Sequence, residues 1–136
     1  MELEYLFSYG TLLPSHAPAE IADTMRNLRR LGRGSVRGRL YDLGEYPGAV
    51  LQDGEARIFG EVFQLPAGQE MLQELDEYEG FNPADPVGSL FLRKKCPVVL
   101  DSGKQIACWV YVYNRDPGAA PLVYNGDYSA TKTARR

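Results

Sequence analysis

Apolar and polar positions alternate at the start of the chain, with Tyr5, Phe7 and Tyr9 on one side, Leu6 and Ser8 on the other, and Gly10 bounding the run. A period of two predicts a β-strand. Beyond it, Ile21, Met25 and Leu28 recur on one helical face. Pro18 suits a first turn and Gly32 a stop, so the pattern predicts a helix from about Pro18 to Leu31. Short strands are predicted over Ser35 to Leu43, Ala49 to Gln52 and Arg57 to Leu65, separated by the turn signals Tyr46-Pro47-Gly48 and Asp53-Gly54. A second helix is predicted from Ala67 to Glu79, followed by a Pro- and Gly-rich loop from Phe81 to Ser89. Leu90 to Leu100 and Lys104 to Tyr113 then read as a hairpin across Asp101-Ser102-Gly103. In its second arm Trp109, Tyr111 and Tyr113 face one way and Cys108, Val110 and Val112 the other. Apolar on both faces, this strand belongs in the centre of a sheet. From Asn114 onward the chain reads mostly as loop, ending in a frayed basic tail over Thr131 to Arg136.

About six short, curved strands with two helices predict an α+β domain whose sheet closes partly into a β-barrel, because closure protects strand edges. With 136 residues and 44% apolar content, the chain fits one domain over residues 1–128, with 129–136 as a disordered basic tail. A net charge of −3 argues against a nucleic-acid partner, since such domains carry a basic excess. The basic run Arg26, Arg29, Arg30, Arg33, Arg37 and Arg39 lacks interleaved aromatics and reads as a solvated face. No apolar stretch approaches the roughly 20 residues that span a bilayer, and no leader pattern opens the chain, so a cytoplasmic protein with no membrane partner is expected. Cys96 and Cys108 fall on neighbouring predicted strands, where a short turn can place them opposite one another, and they are read as core or strand residues kept as thiols in a reducing compartment. Together with the single His16 they supply neither a usual zinc site nor a nucleophile–histidine pair. A chain of this size and charge is expected to be a monomer or weak dimer.

Two segments carry chemistry. Tyr9-Gly10-Thr11-Leu12 follows the first strand, and a glycine there lets the next backbone N–H groups converge on an anionic group. In the second helix Met71, Leu72, Leu75 and Tyr78 share one arc, and Glu79 falls within it, whereas Glu70, Glu74 and Glu77 project outward and Asp76 lies at the margin. If the helix persists to Glu79, that carboxyl points inward, where desolvation raises its pKa and makes it a competent proton acceptor and donor near neutral pH. If Gly80 ends the helix earlier, Glu79 is exposed. Asp76 either orients Glu79 or caps a neighbouring group.

The chain resembles the γ-glutamylcyclotransferase-like family, which includes γ-glutamylamine cyclotransferases and the plant avirulence-induced proteins. The resemblance rests on FSYGTL (7–12), GRLYDLGEYPGAV (38–50), GEVFQL (60–65), LDEYEG (75–80), LFLRKKCPV (90–98), WVYVY (109–113) and NGDY (125–128), in this order and spacing. It implies a mixed β-barrel with flanking helices and release of 5-oxoproline from a small γ-glutamyl substrate. By resemblance, Tyr9, Gly10, Thr11 and Leu12 form the substrate-binding loop and Glu79 is the catalytic glutamate. Tyr46 lies beside the pocket, as a plain turn residue or as a cover over the substrate arm. Arg93 matches the arginine of a Tyr-x-Arg element whose tyrosine is here Phe91, and it either pairs with a substrate carboxylate or makes a surface ion pair. The other aromatics, Tyr41, Phe59, Phe63, Trp109, Tyr111 and Tyr113, are read as barrel filling. In the implied reaction the substrate's α-amine attacks its own γ-carbonyl and Glu79 moves the protons, so no metal or organic cofactor is required. Two other readings share the scaffold: an acyltransferase trimming a γ-glutamyl group from a biosynthetic intermediate, and a non-catalytic module binding small carboxylates.

Overall fold

The computed structural model describes residues 4–9, 28–44, 46–66, 70–123 and 125–128. Its strands are β1 (Glu4–Ser8), β2 (Arg29–Asp42), β3 (Pro47–Leu51), β4 (Arg57–Leu65), β5 (Phe91–Leu100) and β6 (Gln105–Tyr113), with helix α1 (Glu70–Glu79) between β4 and β5. The sheet order is β3-β2-β4-β1-β6-β5, and β5 returns to pair with β2. Five strands therefore close into a barrel, and β3 extends β2 outside the ring. The barrel is mixed, because β1 runs parallel to β6 while the other pairings are antiparallel. The seam that closes it is short, with Gly34 opposite Leu100 and Ser35 opposite Val99.

Alternation along the strands sorts the side chains into two cores. The barrel interior is largely aliphatic, with Val36, Leu40, Ile58, Val62, Val98, Val110 and Val112 packed on Phe7, Tyr9 and, from the C-terminal segment, Tyr128. The opposite faces of β1, β4, β5 and β6 present Leu6, Phe63, Leu65, Phe91 and Tyr111, and α1 covers them with Leu72 and Leu75. Trp109, Tyr111, Tyr113 and Phe63 thus pack outside the barrel, against the helix, and do not fill it. The two faces of β6 divide as its sequence predicts, and β6 sits between β1 and β5. Cys96 stands opposite Cys108 in the β5–β6 ladder, and both are free thiols.

The first predicted helix meets a correction at its end. Residues 10–27 lie outside the described residues, but Arg29, Arg30 and Leu31 belong to β2, where Arg29 and Arg30 pair with Gln64 and Phe63 of β4. The ladder shifts register between Arg30 and Gly32, and Gly32 carries this irregularity with φ +151°, a conformation that L side chains rarely adopt. Cross-strand pairing, invisible to helical periodicity, decides these residues. Of the second predicted helix, Glu70–Glu79 is observed and 67–69 are outside the described residues. No helix among the described residues is long and apolar enough to cross a membrane.

Candidate active site

Helix α1 ends in a way that decides where Glu79 sits. Gly80 adopts φ +74° and donates its N–H to Glu77 O (3.3 Å), while Phe81 N–H reaches Asp76 O (2.9 Å). This is the Schellman pattern, in which a glycine takes the left-handed position after the last helical residue. The helix therefore runs through Glu79 and stops immediately after it. Leu72 and Leu75 are buried, Met71 and Tyr78 are half-buried against the same cluster, and Glu70, Glu74 and Glu77 are exposed, as the helical period predicts.

Glu79 is only partly exposed and lines a cavity of about 180 Å³ together with Phe7, Ser8, Tyr9, Tyr46, Pro47, Tyr78, Leu90, Phe91 and Tyr111. β1 supplies one wall, Phe91 and Tyr111 of β5 and β6 another, and the turn before β3 closes over with Tyr46, whose ring meets Phe91 edge-on at 5.8 Å. No cation pairs with Glu79 among the described residues. Burial pushes its carboxyl up to about 8. Its place at a helix C-terminus, the negative end of the dipole, acts in the same direction.

Tyr9 reaches this cavity from the barrel interior. Its hydroxyl donates to Tyr111 O and accepts the Ala49 N–H at 3.3 Å, joining β1, β6 and β3. Burial, and then the nearby Glu79 charge, push the Tyr9 phenol far up, so it stays a neutral donor. Ser8 is also buried, and its Oγ has no hydrogen-bond partner among the described residues.

Asp76 departs from its expected place at the helix margin: it is 4% exposed. Arg93 accounts for this, donating through Nε to Asp76 Oδ1 (2.8 Å) and through a terminal nitrogen to Oδ2 (3.2 Å). Tyr111 adds a third bond, donating its hydroxyl to Asp76 Oδ1 at 2.6 Å. The Arg93 guanidinium lies 4.4 Å from the Trp109 ring and 5.8 Å from that of Phe81. Arg93 therefore does not line the cavity and is committed to Asp76, in a largely buried pair and not a surface one.

The structure thus brings Glu79, Tyr9 and Tyr46 together and sets Arg93 apart. Gly10, Thr11 and Leu12 lie outside the described residues, as does His16. Tyr111 and Ser8 are the cavity residues that sequence reasoning passed over. For Tyr111, the signal was an acidic residue beside an apolar helical arc, which requires buried partners. The Phe81–Ser89 loop and the segment after Tyr113 are laced together: Asn114 Nδ2 donates to Pro86 O and Ser89 O, and Arg115 to Ser89 O, at 2.8–2.9 Å.

Residues 6–130 match the family model described as γ-glutamyl cyclotransferase, AIG2-like. A Methanocaldococcus jannaschii protein carrying the γ-glutamylcyclotransferase name is 31% identical over 131 residues, covering 93% of this chain and 96% of that protein. The γ-L-glutamyl-butirosin B γ-glutamyl cyclotransferase of Niallia circulans is 35% identical over 113 residues, 82% of this chain and 67% of that one. The solution structure of YtfP from Escherichia coli superposes with a TM-score of 0.65 at 29% identity, covering 94% of this chain and 98% of that one. With the barrel and the family model agreeing over nearly its whole length, the chain belongs to the γ-glutamyl cyclotransferase, AIG2-like family.

Proposed function

We propose that the chain is a γ-glutamyl cyclotransferase that releases 5-oxoproline from a γ-glutamylamine or a related small γ-glutamyl compound, with Glu79 as general acid and base. The observation that carries this reading is the Glu79 carboxyl lining an aromatic-walled cavity with no cation beside it among the described residues, and pushed up to about 8 by burial. A carboxyl poised near the working pH both accepts and returns a proton. The substrate's α-amine adds to its own γ-carbonyl carbon, forming the ring C–N bond. Glu79 takes the proton that this nitrogen sheds and delivers it to the departing amine as the original C–N bond breaks. No water is consumed, and the products are 5-oxoproline and the free amine. Because the nucleophile is tethered, the protein's task is to fold the glutamyl arm and move protons. Backbone N–H groups of the loop Gly10 to Leu12, with Tyr9, would hold the substrate carboxylate or the developing oxyanion. The buried Ser8 hydroxyl is available for a further hydrogen bond to the arm.

The N. circulans relative is named for a γ-glutamyl group carried on butirosin B, which favours a second reading: removal of a γ-glutamyl group from a biosynthetic intermediate. The chemistry at Glu79 is the same and the leaving amine differs. Both readings are tested by mass-spectrometric measurement of 5-oxoproline release from γ-glutamyl amines, γ-glutamyl dipeptides, glutathione and γ-L-glutamyl-butirosin B. Wild type should turn over one class, with kcat/KM rising as pH passes through about 8, where the base form of Glu79 becomes populated. Glu79→Gln should bind the same compound and lose about 10²–10⁴-fold in turnover. Silence of the folded wild type across the panel would leave a binding module.

A further inference from the structure

The last turn of α1 is gripped from three sides. Arg93 of β5 engages both carboxylate oxygens of Asp76, Tyr111 of β6 bonds Oδ1 again, and the Asp76 backbone carbonyl accepts the Phe81 N–H that closes the helix. The Arg93 guanidinium is itself held between the rings of Trp109 and Phe81. Neither Asp76 nor Arg93 lines the cavity that holds Glu79. Asp76 precedes Glu79 by one turn, so the two side chains leave the helix about 60° apart and about 4.5 Å along its axis.

A buried ion pair adds little net stability compared with apolar packing of the same volume, so stability alone is a poor account of this one. What it adds is directional. Leu72 and Leu75 fix which face of α1 is buried, but apolar contacts tolerate small rotations of a helix. A bidentate guanidinium–carboxylate pair with a third hydrogen bond does not. The same grip extends to the cavity wall, because the backbone carbonyl of Tyr111 accepts the Tyr9 hydroxyl.

We propose that Asp76 and Arg93 are positioning residues for Glu79: their two-pronged pair, supported by Tyr111, sets the rotation of the last turn of α1 and thereby aims the Glu79 carboxyl into the cavity. The proposal rests on reading Glu79 as the proton-transfer group, and it concerns two residues outside the cavity.

The distinguishing experiment is Arg93→Gln, with the Glu79 carboxyl titrated by carbon-13 NMR. The titratable side chains sharing the cavity with Glu79 are Tyr9 just after β1, Tyr46 before β3, Tyr78 of α1 and Tyr111 of β6, with Asp76 and Arg93 behind them. Among these, the substitution removes only the Arg93 charge. Loss of a nearby cation by itself disfavours the ionised carboxylate and raises the Glu79 pKa above about 8. Loss of positioning releases the carboxyl to water and lowers it. The two effects have opposite signs, and we expect a fall of more than one unit.

Turnover should drop at least tenfold, while the Kd for a γ-glutamyl analogue lacking the α-amine stays within twofold. Arg93→Lys, which keeps the charge and loses the fork, should fall between. An unchanged or raised Glu79 pKa with near wild-type turnover in Arg93→Gln overturns the proposal. If that variant does not fold, Tyr111→Phe keeps the ion pair and removes one support, and it should shift both readouts the same way by less. A wild type inactive on every γ-glutamyl compound would sink the functional reading, and the NMR titration would still decide the positioning.

Discussion

Asp76 and Glu79 are carboxylates one helical turn apart, and their surroundings could hardly differ more. Asp76 is enclosed by a guanidinium, a phenol and a backbone closure, so each of its oxygens has a fixed donor. Glu79 faces rings and an open cavity, and no cation is its partner among the described residues. The difference teaches that a buried acid becomes reactive through what is withheld from it. Compensated, it is a structural bolt; left uncompensated beside a cavity, it keeps its proton up to near-neutral pH and can exchange it there.

The comparison breaks most severely if Asp76 loses its charge while Arg93 keeps its own. Asp76→Ala strands a largely buried cation and should cost about 3–5 kcal/mol in urea unfolding. The double variant Asp76→Ala/Arg93→Met should recover at least half of that; if it recovers none, the cost arises from something other than the stranded charge.

A smaller effect sharpens the other side. The folded-state pKa of Glu79, about 8, lies above its ordinary value of 4.5, so the protonated carboxyl is the form that the fold favours. Stability is therefore complete below about pH 4.5, declines as pH rises toward 8, and levels off above it. Glu79→Gln cannot ionise. Its advantage over wild type should be nearly absent near pH 4.5 and grow to on the order of 5 kcal/mol at and above pH 8. A difference independent of pH would mean that Glu79 ionises without penalty.

The smallest effect concerns Ser8. Replacing a buried hydroxyl that has no partner among the described residues by alanine should leave stability within about 1 kcal/mol of wild type, on the favourable side. A loss above that would show that Ser8 has a structural partner in the folded chain.

Local pattern made much of this molecule legible. β4 was read at its observed limits, Arg57 to Leu65, because alternation and flanking turn signals agree there. The β5–β6 hairpin and the pairing of Cys96 with Cys108 follow from one short turn. The inward aim of Glu79 follows from helical phase, once Gly80 is seen to stop the helix after it and not before. Contacts between distant segments were not legible. Nothing local marks Arg29 to Leu31 as strand, because β4 supplies their partners. The burial of Asp76 depends on Arg93 and Tyr111, which lie 17 and 35 residues further along. Of the aromatics assigned to the barrel interior, Phe63, Trp109, Tyr111 and Tyr113 proved to lie in the cluster that α1 covers, and Tyr41 and Phe59 are half-buried and belong to neither core, since a strand buried on both faces gives no sign of which face is the inner one.

The three-residue spacing from Asp76 to Glu79 has a consequence for how such chains tolerate insertions and deletions. Each added residue turns everything after it by about 100°. One insertion between these two positions would keep Asp76 on its arginine and swing the carboxyl of the last turn away from the cavity. The same insertion ahead of α1 would leave the register from Leu72 onward intact. Length is therefore free to drift ahead of the helix and is frozen over the five residues from Asp76 to Gly80.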